Sequence, residues 1–394
     1  MNNDCQPNRT EKTAGKALAA LRRWPWQRLL PLGLSFGGST LLRGENQVDY
    51  RYEYYQEDDH RMKIETHSVY FEQKLLDSLV AKGELVYDSI SGATPTGTYR
   101  FSPGSGVIRT TEVQDIRRAG NLALDWRQGR NTLTPGFAYS KESDYESYGL
   151  SLNDAFEFNE KNTILQLGAA HNFDSVLDSP IGGAPRTWRD KDSTDVMVGV
   201  SQLLTPKTIL AANFTFGYES GFLSDPYRAA EFVYPLRLAG VIRNENRPGQ
   251  RTKEIFLTSL THYFDPLDAS IEGSYRFYYD SYGICAQTLG LTWHQWLGKH
   301  VILEPAFRFY EQSAASFYSP LFHEDPANLK FYSADYRLSN FYSLDYGLSA
   351  TFILCDHARF TLGYHRYEMA GLDNTVSAMY PKANIVTIGL SILW

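Results

Sequence analysis

The sequence predicts an all-β fold, a transmembrane antiparallel up-and-down β-barrel of about 16 strands with short periplasmic turns and long extracellular loops. Three observations lead to this prediction. Apolar and polar residues alternate along most of the chain after residue 46, many alternating segments run ten or more residues, and short turns alternate with long connections. Strands that span a membrane need about 9 to 11 residues, whereas soluble strands cluster near 5 or 6. Segment length therefore favours the barrel over a soluble sandwich.

The composition narrows the class of protein. Among 394 residues, 38 Lys and Arg face 45 Asp and Glu, for a net charge of −7. A nucleic-acid-binding protein usually presents a basic surface, so we expect no nucleic-acid partner. The longest apolar run outside the alternating segments, residues 29–36, is interrupted by Pro31 and is too short for a membrane helix.

The first part of the chain differs from the rest. Residues 1–40 are basic, then apolar, then small, which is the order of an export signal, and a disordered soluble tail is the alternative. Residues 41–394 carry the alternation and form the predicted outer-membrane barrel. The predicted location is the bacterial outer membrane, where the apolar face would contact lipid and lipopolysaccharide.

The last segment shows the alternation best. Leu390, Ile392 and Trp394 fall on one face, whereas Gly389 and Ser391 fall on the other. An aromatic last residue on such a strand resembles the signal read by the barrel assembly machinery, and Trp anchors well at a membrane interface. We expect Trp394→Ala to impair insertion.

The polar face of other segments mixes both signs of charge with small residues, as a wet lumen would. Ten side chains are predicted to line this lumen: Asp49, Arg51, Glu53, Glu272, Arg276, Asp280, Glu304, Arg308, Asp345 and His365.

Turn spacing gives the topology. Short polar turns are predicted at residues 76–79, 128–131, 159–162, 205–207, 265–268, 297–300 and 355–358. The long connections are residues 91–109, 174–191, 221–250, 313–337 and 370–383.

The longest connection contains four candidate functional residues, Asp225, Pro226, Tyr227 and Arg228. Long ordered loops often carry function, so this loop is predicted to fold inward, where it would narrow a pore or dock a partner. The alternative is an Asp-Pro turn in which Arg228 pairs locally.

The sequence offers no catalytic, metal or cofactor site. It has no G-x-S-x-G and no H-E-x-x-H, so we expect no enzyme activity. For His365, a structural role in the lumen is the more common one, and a role as a catalytic base is the alternative. Residues 57–60 form an acidic knot that is either a cation site or a solvated hairpin tip. Cys5, Cys285 and Cys355 are isolated thiols, or the last two form a bridge.

Several sequence segments also resemble a family of Gram-negative outer-membrane barrels that is catalogued as domain of unknown function 3570. The segments are ELVYDSISGATPTG (84–97), STDVMVGVSQLLTP (193–206), GFLSDPYR (221–228), SYRFYYDSYGI (274–284), QSAASFY (312–318) and YSADYRLS (332–339). The resemblance covers about residues 47–394 and implies a fold and a location, but no reaction. Family members are often encoded beside a small lipoprotein, a thioredoxin-like protein and a flavin-transferring protein, which the resemblance implies as partners.

Two functions remain open. One is a porin-like channel for small solutes or ions, because barrels of about sixteen strands can enclose water. The other is a non-conducting barrel scaffold for a periplasmic lipoprotein or envelope redox partner. Loops folded into the barrel would favour the second.

Overall fold

A computed structural model describes residues 46–181, 184–234 and 237–394. The predicted export segment, residues 1–40, and Cys5 lie outside the described residues. The strands are β1 (Asn46–Glu57), β2 (Met62–Leu76), β3 (Leu79–Tyr99), β4 (Ile108–Gln128), β5 (Asn131–Lys141), β6 (Tyr145–Phe158), β7 (Thr163–Asp178), β8 (Thr187–Thr205), β9 (Thr208–Gly221), β10 (Ala229–Tyr234), β11 (Arg237–Asn244), β12 (Gln250–Phe264), β13 (Ala269–Asp280), β14 (Cys285–Leu297), β15 (Val301–Gln312), β16 (Phe341–Cys355), β17 (Ala358–Gly371) and β18 (Lys382–Leu393).

Sixteen of these strands form a closed antiparallel barrel, which confirms the predicted fold class. The ring closes where β1 pairs with β18, and β9 pairs directly with β12. The strands β10 and β11 form a separate two-stranded hairpin that is not part of the barrel wall. Closure pairs every edge strand, which is the condition for a sheet to cross a hydrocarbon layer.

The alternation predicted for the last segment is confirmed in β18. Val386, Ile388 and Leu390 are 37%, 37% and 41% exposed on the outer surface, whereas the alternate positions are covered: Ala383 and Ile385 are buried, and Thr387 and Gly389 are half-buried. The outer face is therefore apolar and the intervening positions face the lumen. Among the described residues, no helix is long and apolar enough to cross a membrane.

The two ends of the barrel differ, as the turn spacing predicts. One end, the turn side, carries the short turns and both ends of the wall, where the Trp394 N–H donates to the Asn46 carbonyl at 3.1 Å. The other end, the loop side, carries the long connections.

The strand limits correct two predictions. Residues 91–99, expected to be loop, continue β3, and the connection is only residues 100–107. Likewise β7 and β8 leave only residues 179–186 between them. Residues 250–264 alternate poorly but form β12, because pairing with β9 and β13 holds the segment extended.

The longest connection, residues 221–250, contains the hairpin of β10 and β11, which the sequence prediction missed. Phe232 is fully buried there, stacked on Phe322 and edge-on to Tyr332, with ring centroids 5.0 Å away in both cases. Phe322 and Tyr332 belong to the connection between β15 and β16. The two longest loops therefore share one small aromatic core.

Candidate functional site

Two inward-folded loops, residues 221–250 and 313–340, together form what we call the cap. The cap reaches far across the loop-side mouth. Glu231 Oε2 accepts a buried hydrogen bond of 2.9 Å from the Tyr99 N–H, at the end of β3. Around the ring of sixteen strands, β3 lies six strands from β9 and seven from β12, the two strands that the first loop connects. The hairpin therefore spans the mouth almost to the opposite wall.

Gly97 shows how closely the cap approaches this wall. Its φ is +92°, and a Cβ atom there would lie 2.7 Å from the carbonyl oxygen of Ala229 and 2.8 Å from that of Ala334. Both atoms belong to the cap, one from each loop. A side chain at this position would push the cap away, so the glycine in the SGATPTG segment serves cap contact rather than a flexible loop.

Six charged side chains join the two loops of the cap in a balanced network. Arg247 Nη2 donates to Asp335 Oδ2 at 2.7 Å, and Arg337 Nε donates to the same oxygen at 2.9 Å. Arg247 Nε also lies 2.7 Å from Glu245 Oε1. The network has three carboxylates and three guanidiniums: Asp225, Glu245, Asp335, Arg228, Arg247 and Arg337.

Asp335 is the centre of this network and is only 1% exposed. Burial alone would raise the pKa of Asp335, but the guanidiniums of Arg337, Arg228 and Arg247 outweigh it and hold the pKa well below its usual value. The carboxylate therefore stays ionised, and the two loops are held together by matched charge.

The sequence left open an inward-folded loop or a local Asp-Pro turn at the four loop candidates, and the structure shows features of both. Asp225 Oδ1 accepts from the Tyr227 N–H at 2.8 Å and Arg228 Nε lies 3.7 Å from Asp225 Oδ2, which is the local Asp-Pro turn. Arg228 Nη2 also donates to Thr94 Oγ1 on β3 at 3.1 Å, and Tyr227 donates to Asp144. Pro226 lines a cavity of about 460 Å³ at the edge of the cap.

Other loops fix the cap to the rim. Tyr282, between β13 and β14, donates to the Pro248 carbonyl at 2.8 Å. Tyr318 of the cap shares a hydrogen bond of 2.5 Å with Thr375, between β17 and β18. The cap is thus held from several sides of the loop-side mouth.

Below the cap, three of the predicted lumen carboxylates, Glu304, Asp345 and Asp280, pair with residues other than Arg276 and Arg308. His294 Nδ1 lies 2.8 Å from Glu304 Oε1, and His365 Nδ1 lies 2.7 Å from Asp345 Oδ1. Asp280 accepts from Arg251 Nε at 2.9 Å.

Arg276 and Arg308 instead lie over tyrosine rings. The guanidinium carbon of Arg276 is 5.3 Å from the Tyr278 ring centroid, and that of Arg308 is 5.7 Å from the Tyr310 centroid. Neither arginine is hydrogen-bonded to a carboxylate among the residues that the structure describes, and Arg308 lies opposite Asp345 of β16.

Glu272 is a third unusual lumen group. It is 3% exposed, and its Oε2 has no hydrogen-bond partner among the described residues. The remaining candidates, Asp49, Arg51 and Glu53, lie on β1 opposite Ser391, Gly389 and Thr387 of β18. They are six strands away from Arg276 around the ring, so the ten candidates do not form one cluster.

The acidic knot and the two cysteines Cys285 and Cys355 each had two alternatives in the sequence, which can be compared with the structure. At the acidic knot, Glu57 lies 2.6 Å from Arg61 Nε and Asp58 lies 2.6 Å from Arg366 Nη2, as in a paired hairpin tip. Cys285 and Cys355 are free thiols, because they lie at the loop-side end of β14 and the turn-side end of β16.

The sequence prediction missed one group of carboxylates. Asp115 on β4 and Glu142 and Asp144 after β5 place oxygens within 4.8 Å of one another. Burial, with further repulsion from Asp115 and Asp144, raises the pKa of Glu142 to about 7. No short sequence spacing links β4 to this turn, so only the fold brings the three together.

Comparison with solved structures shows an outer-membrane-type barrel fold. CdiB from Acinetobacter baumannii is similar at 9% identity with a TM-score of 0.50, over 88% of this chain and 60% of that one. A bacterial polysaccharide outer membrane secretin is 10% identical, with a TM-score of 0.47 over 90% and 100% of the two chains. The siderophore receptor PirA from Pseudomonas aeruginosa is 9% identical, with a TM-score of 0.43 over 90% and 62%. The chain thus spans about three fifths of the length of the CdiB and PirA chains.

No curated protein sequence matches the chain. The family model described as a protein of unknown function, DUF3570, matches residues 37–386 and includes both loops of the cap. The match covers most of the chain, and the resemblance noted in its sequence segments is confirmed: the chain belongs to the DUF3570 family.

Proposed function

We propose that this chain is a non-conducting barrel scaffold of the bacterial outer membrane, closed at its extracellular mouth and open to the periplasm. The single observation that carries the proposal is the bond between Glu231 and Tyr99, which holds the cap across the loop-side mouth. A general porin leaves a continuous aqueous path through the lumen, and a cap fixed on both walls obstructs it.

The orientation follows from the two ends of the barrel. Bacterial outer-membrane barrels have short periplasmic turns and longer extracellular loops. The turn side, with Asn46 and Trp394, would then face the periplasm, and the cap would face outward. In this orientation the apolar outer face contacts lipid and lipopolysaccharide. Trp394 lies at the periplasmic end, where the barrel assembly machinery would read the signal in its strand.

The partner in this proposal comes from the periplasm and docks at the turn-side mouth. The resemblance to the family supports a small lipoprotein or a thioredoxin-like or flavin-transferring protein. The role that we propose is structural and not enzymatic.

A porin-like channel gated by the cap is the second candidate. It is favoured by unmatched lumen groups, since Glu272, Arg276 and Arg308 are suited to moving ions rather than to a sealed core. Opening of the cap would then be required for conduction.

Planar-bilayer recording of the refolded chain tests the proposal. Ala229 and Asn244 face each other in the hairpin, so residues 230–243 can be replaced by a two-glycine link. The scaffold proposal predicts no conductance steps for the complete chain and open-channel steps for the shortened one. Removal of the largely exposed residues 102–105 from the neighbouring loop is the matched control and should leave the barrel closed. Steady conductance of the complete chain would contradict the proposal.

A further inference from the structure

The lumen wall beneath the cap contains two arginines that the proposed scaffold role does not use. Both belong to an Arg-Phe-Tyr sequence, residues 276–278 on β13 and residues 308–310 on β15. In each, the phenylalanine points outward, and the arginine and tyrosine point into the lumen with the guanidinium over the ring. One strand, β14, separates the two copies.

The register places both arginines around one spot on β14. Thr288 lies opposite Arg276 on one side and Tyr310 on the other. Gly290, the next inward position, lies opposite Arg308. Because neighbouring strands are about 4.8 Å apart, two extended arginine side chains can reach a shared point above Thr288 and Gly290.

The residues of β14 at this spot are small. Gly290 contributes no side chain, and Thr288 is only 9% exposed, yet its Oγ1 has no hydrogen-bond partner among the described residues. A buried hydroxyl normally finds a partner, so the Thr288 hydroxyl is able to hydrogen-bond a further group.

Arg251 provides the comparison for a structural arginine. It too lies over a tyrosine, with its guanidinium carbon 4.6 Å from the Tyr282 centroid. However, Arg251 also donates to Asp280 at 2.9 Å, so its charge is matched. Arg276 has the ring without a neighbouring carboxylate, and Arg308 lies opposite Asp345, whose Oδ1 is bound by His365 instead. Neither guanidinium is hydrogen-bonded to a carboxylate among the described residues, so the two forks and the Thr288 hydroxyl form a group of hydrogen-bond donors with an excess of positive charge.

We propose that Arg276, Arg308 and Thr288 bind a small soluble oxyanion of the phosphate type in the lumen, beneath the cap. The guanidinium fork matches the oxygens of such an anion, and the tyrosine rings of Tyr278 and Tyr310 hold each fork in place. The inference goes beyond the scaffold role, because an anion can enter from the turn side whether or not the cap opens.

Calorimetric titration of inorganic phosphate into the refolded complete chain, at constant ionic strength in chloride, tests the proposal. We expect saturable binding that weakens at least about tenfold in Arg276→Gln and in Arg308→Gln, since each removes charge-assisted hydrogen bonds. Thr288→Val should weaken binding by a smaller factor. Arg127→Gln is the control, because Arg127 is exposed on the turn side and paired with Glu157.

Folding of each variant is checked by heat-modifiable migration on a gel. If a glutamine variant does not fold, Arg276→Lys and Arg308→Lys keep the charge but lose the fork, and they should still weaken binding. Lack of saturable phosphate binding by the unmodified chain would overturn the proposal, as would unchanged affinity in the folded arginine variants. A response to lipopolysaccharide micelles without a response to free phosphate would overturn the soluble anion in favour of a lipid headgroup.

Discussion

The cap and the lumen wall below it use the same kind of residue in opposite ways. In the cap, three guanidiniums meet three carboxylates, and Asp335 at the centre is almost completely buried. In the wall, Arg276 and Arg308 lie on tyrosine rings without a hydrogen bond to a carboxylate among the described residues, and Asp345 opposite Arg308 is bound to His365. Matched charge joins the two loops of the cap, whereas the two arginines of the wall are the groups that we propose to bind an anion.

The difference has an energetic consequence. Removing one member of a buried, hydrogen-bonded ion network leaves its partners desolvated and unpaired, which is strongly destabilising. Removing a half-buried arginine that lies over a ring without a hydrogen-bonded carboxylate loses only a weak contact. The two regions therefore make opposite predictions for similar substitutions.

The largest effect is expected for Asp335→Asn. The change leaves Arg228, Arg247 and Arg337 without their shared carboxylate, so the cap should detach at a cost of about 3 to 5 kcal/mol. Urea unfolding of the refolded chain measures the loss, and bilayer recording should show open-channel steps.

A carboxylate in the same loop gives the control for this prediction. Glu324 is exposed, and Glu324→Gln should change neither the unfolding free energy nor the conductance. Equal effects of Asp335→Asn and Glu324→Gln would show that the matched network does not hold the cap.

The comparison also depends on a wet lumen behind an apolar outer face. Leu390 is exposed on the outer face, and Leu390→Arg should cost about 2 to 4 kcal/mol in a bilayer. The adjacent Gly389 faces the lumen opposite Arg51, so Gly389→Asp should be tolerated. Unfolding of both variants in lipid vesicles measures the difference. Similar costs on the two faces would contradict a barrel whose outer face contacts lipid and whose inner face contacts water.

An intermediate effect is expected at Glu142, where carboxylates gather without enough matching cations. Its pKa is raised to about 7 from 4.5, chiefly by burial. The folded chain therefore loses stability as pH rises from about 4.5 to 7, because the folded state resists ionisation. We expect Glu142→Gln to be more stable than the unmodified chain near pH 8, by at most about 3 kcal/mol, and equally stable near pH 4. Urea unfolding at both values checks this, and equal stability near pH 8 would contradict it.

The smallest effect is expected for Arg308→Gln. Loss of the contact with Tyr310 and of the attraction to Asp345 is offset by relief of desolvation and of repulsion from Arg276, so the unfolding free energy should change by no more than about 1 kcal/mol. The matched variant in the cap, Arg247→Gln, should cost several times more because Asp335 and Glu245 lose a partner. Equal losses would remove the contrast between the two regions.

The barrel wall could be predicted from the sequence because its determinants are local. Period-two alternation, as in the segment ending at Trp394, reports the two faces directly, and turn spacing reports the topology. The segment of β12 was the exception: its pattern is weak, and pairing with both neighbours decides its conformation. Residues 91–99 were mistaken for loop because small residues there also suit a close approach of the cap, as at Gly97.

The cap and the proposed anion site could not be predicted in this way. Glu231 and Tyr99 are 132 residues apart, and nothing local in either segment specifies the other. The anion site did leave a signal, the Arg-Phe-Tyr sequence at residues 276–278 and again at 308–310. Its meaning depends on β14, which places Thr288 and Gly290 between the two copies.

The most direct test of the account is access to the lumen from each side of the membrane. Ser349 faces the lumen opposite Glu304, and Ser349→Cys in a chain whose native cysteines are replaced by serine provides one reporter. A bulky, charged maleimide should leave this cysteine unmodified when added to intact cells and should modify it after the periplasm is opened. Rapid modification in intact cells would contradict a mouth closed by the cap.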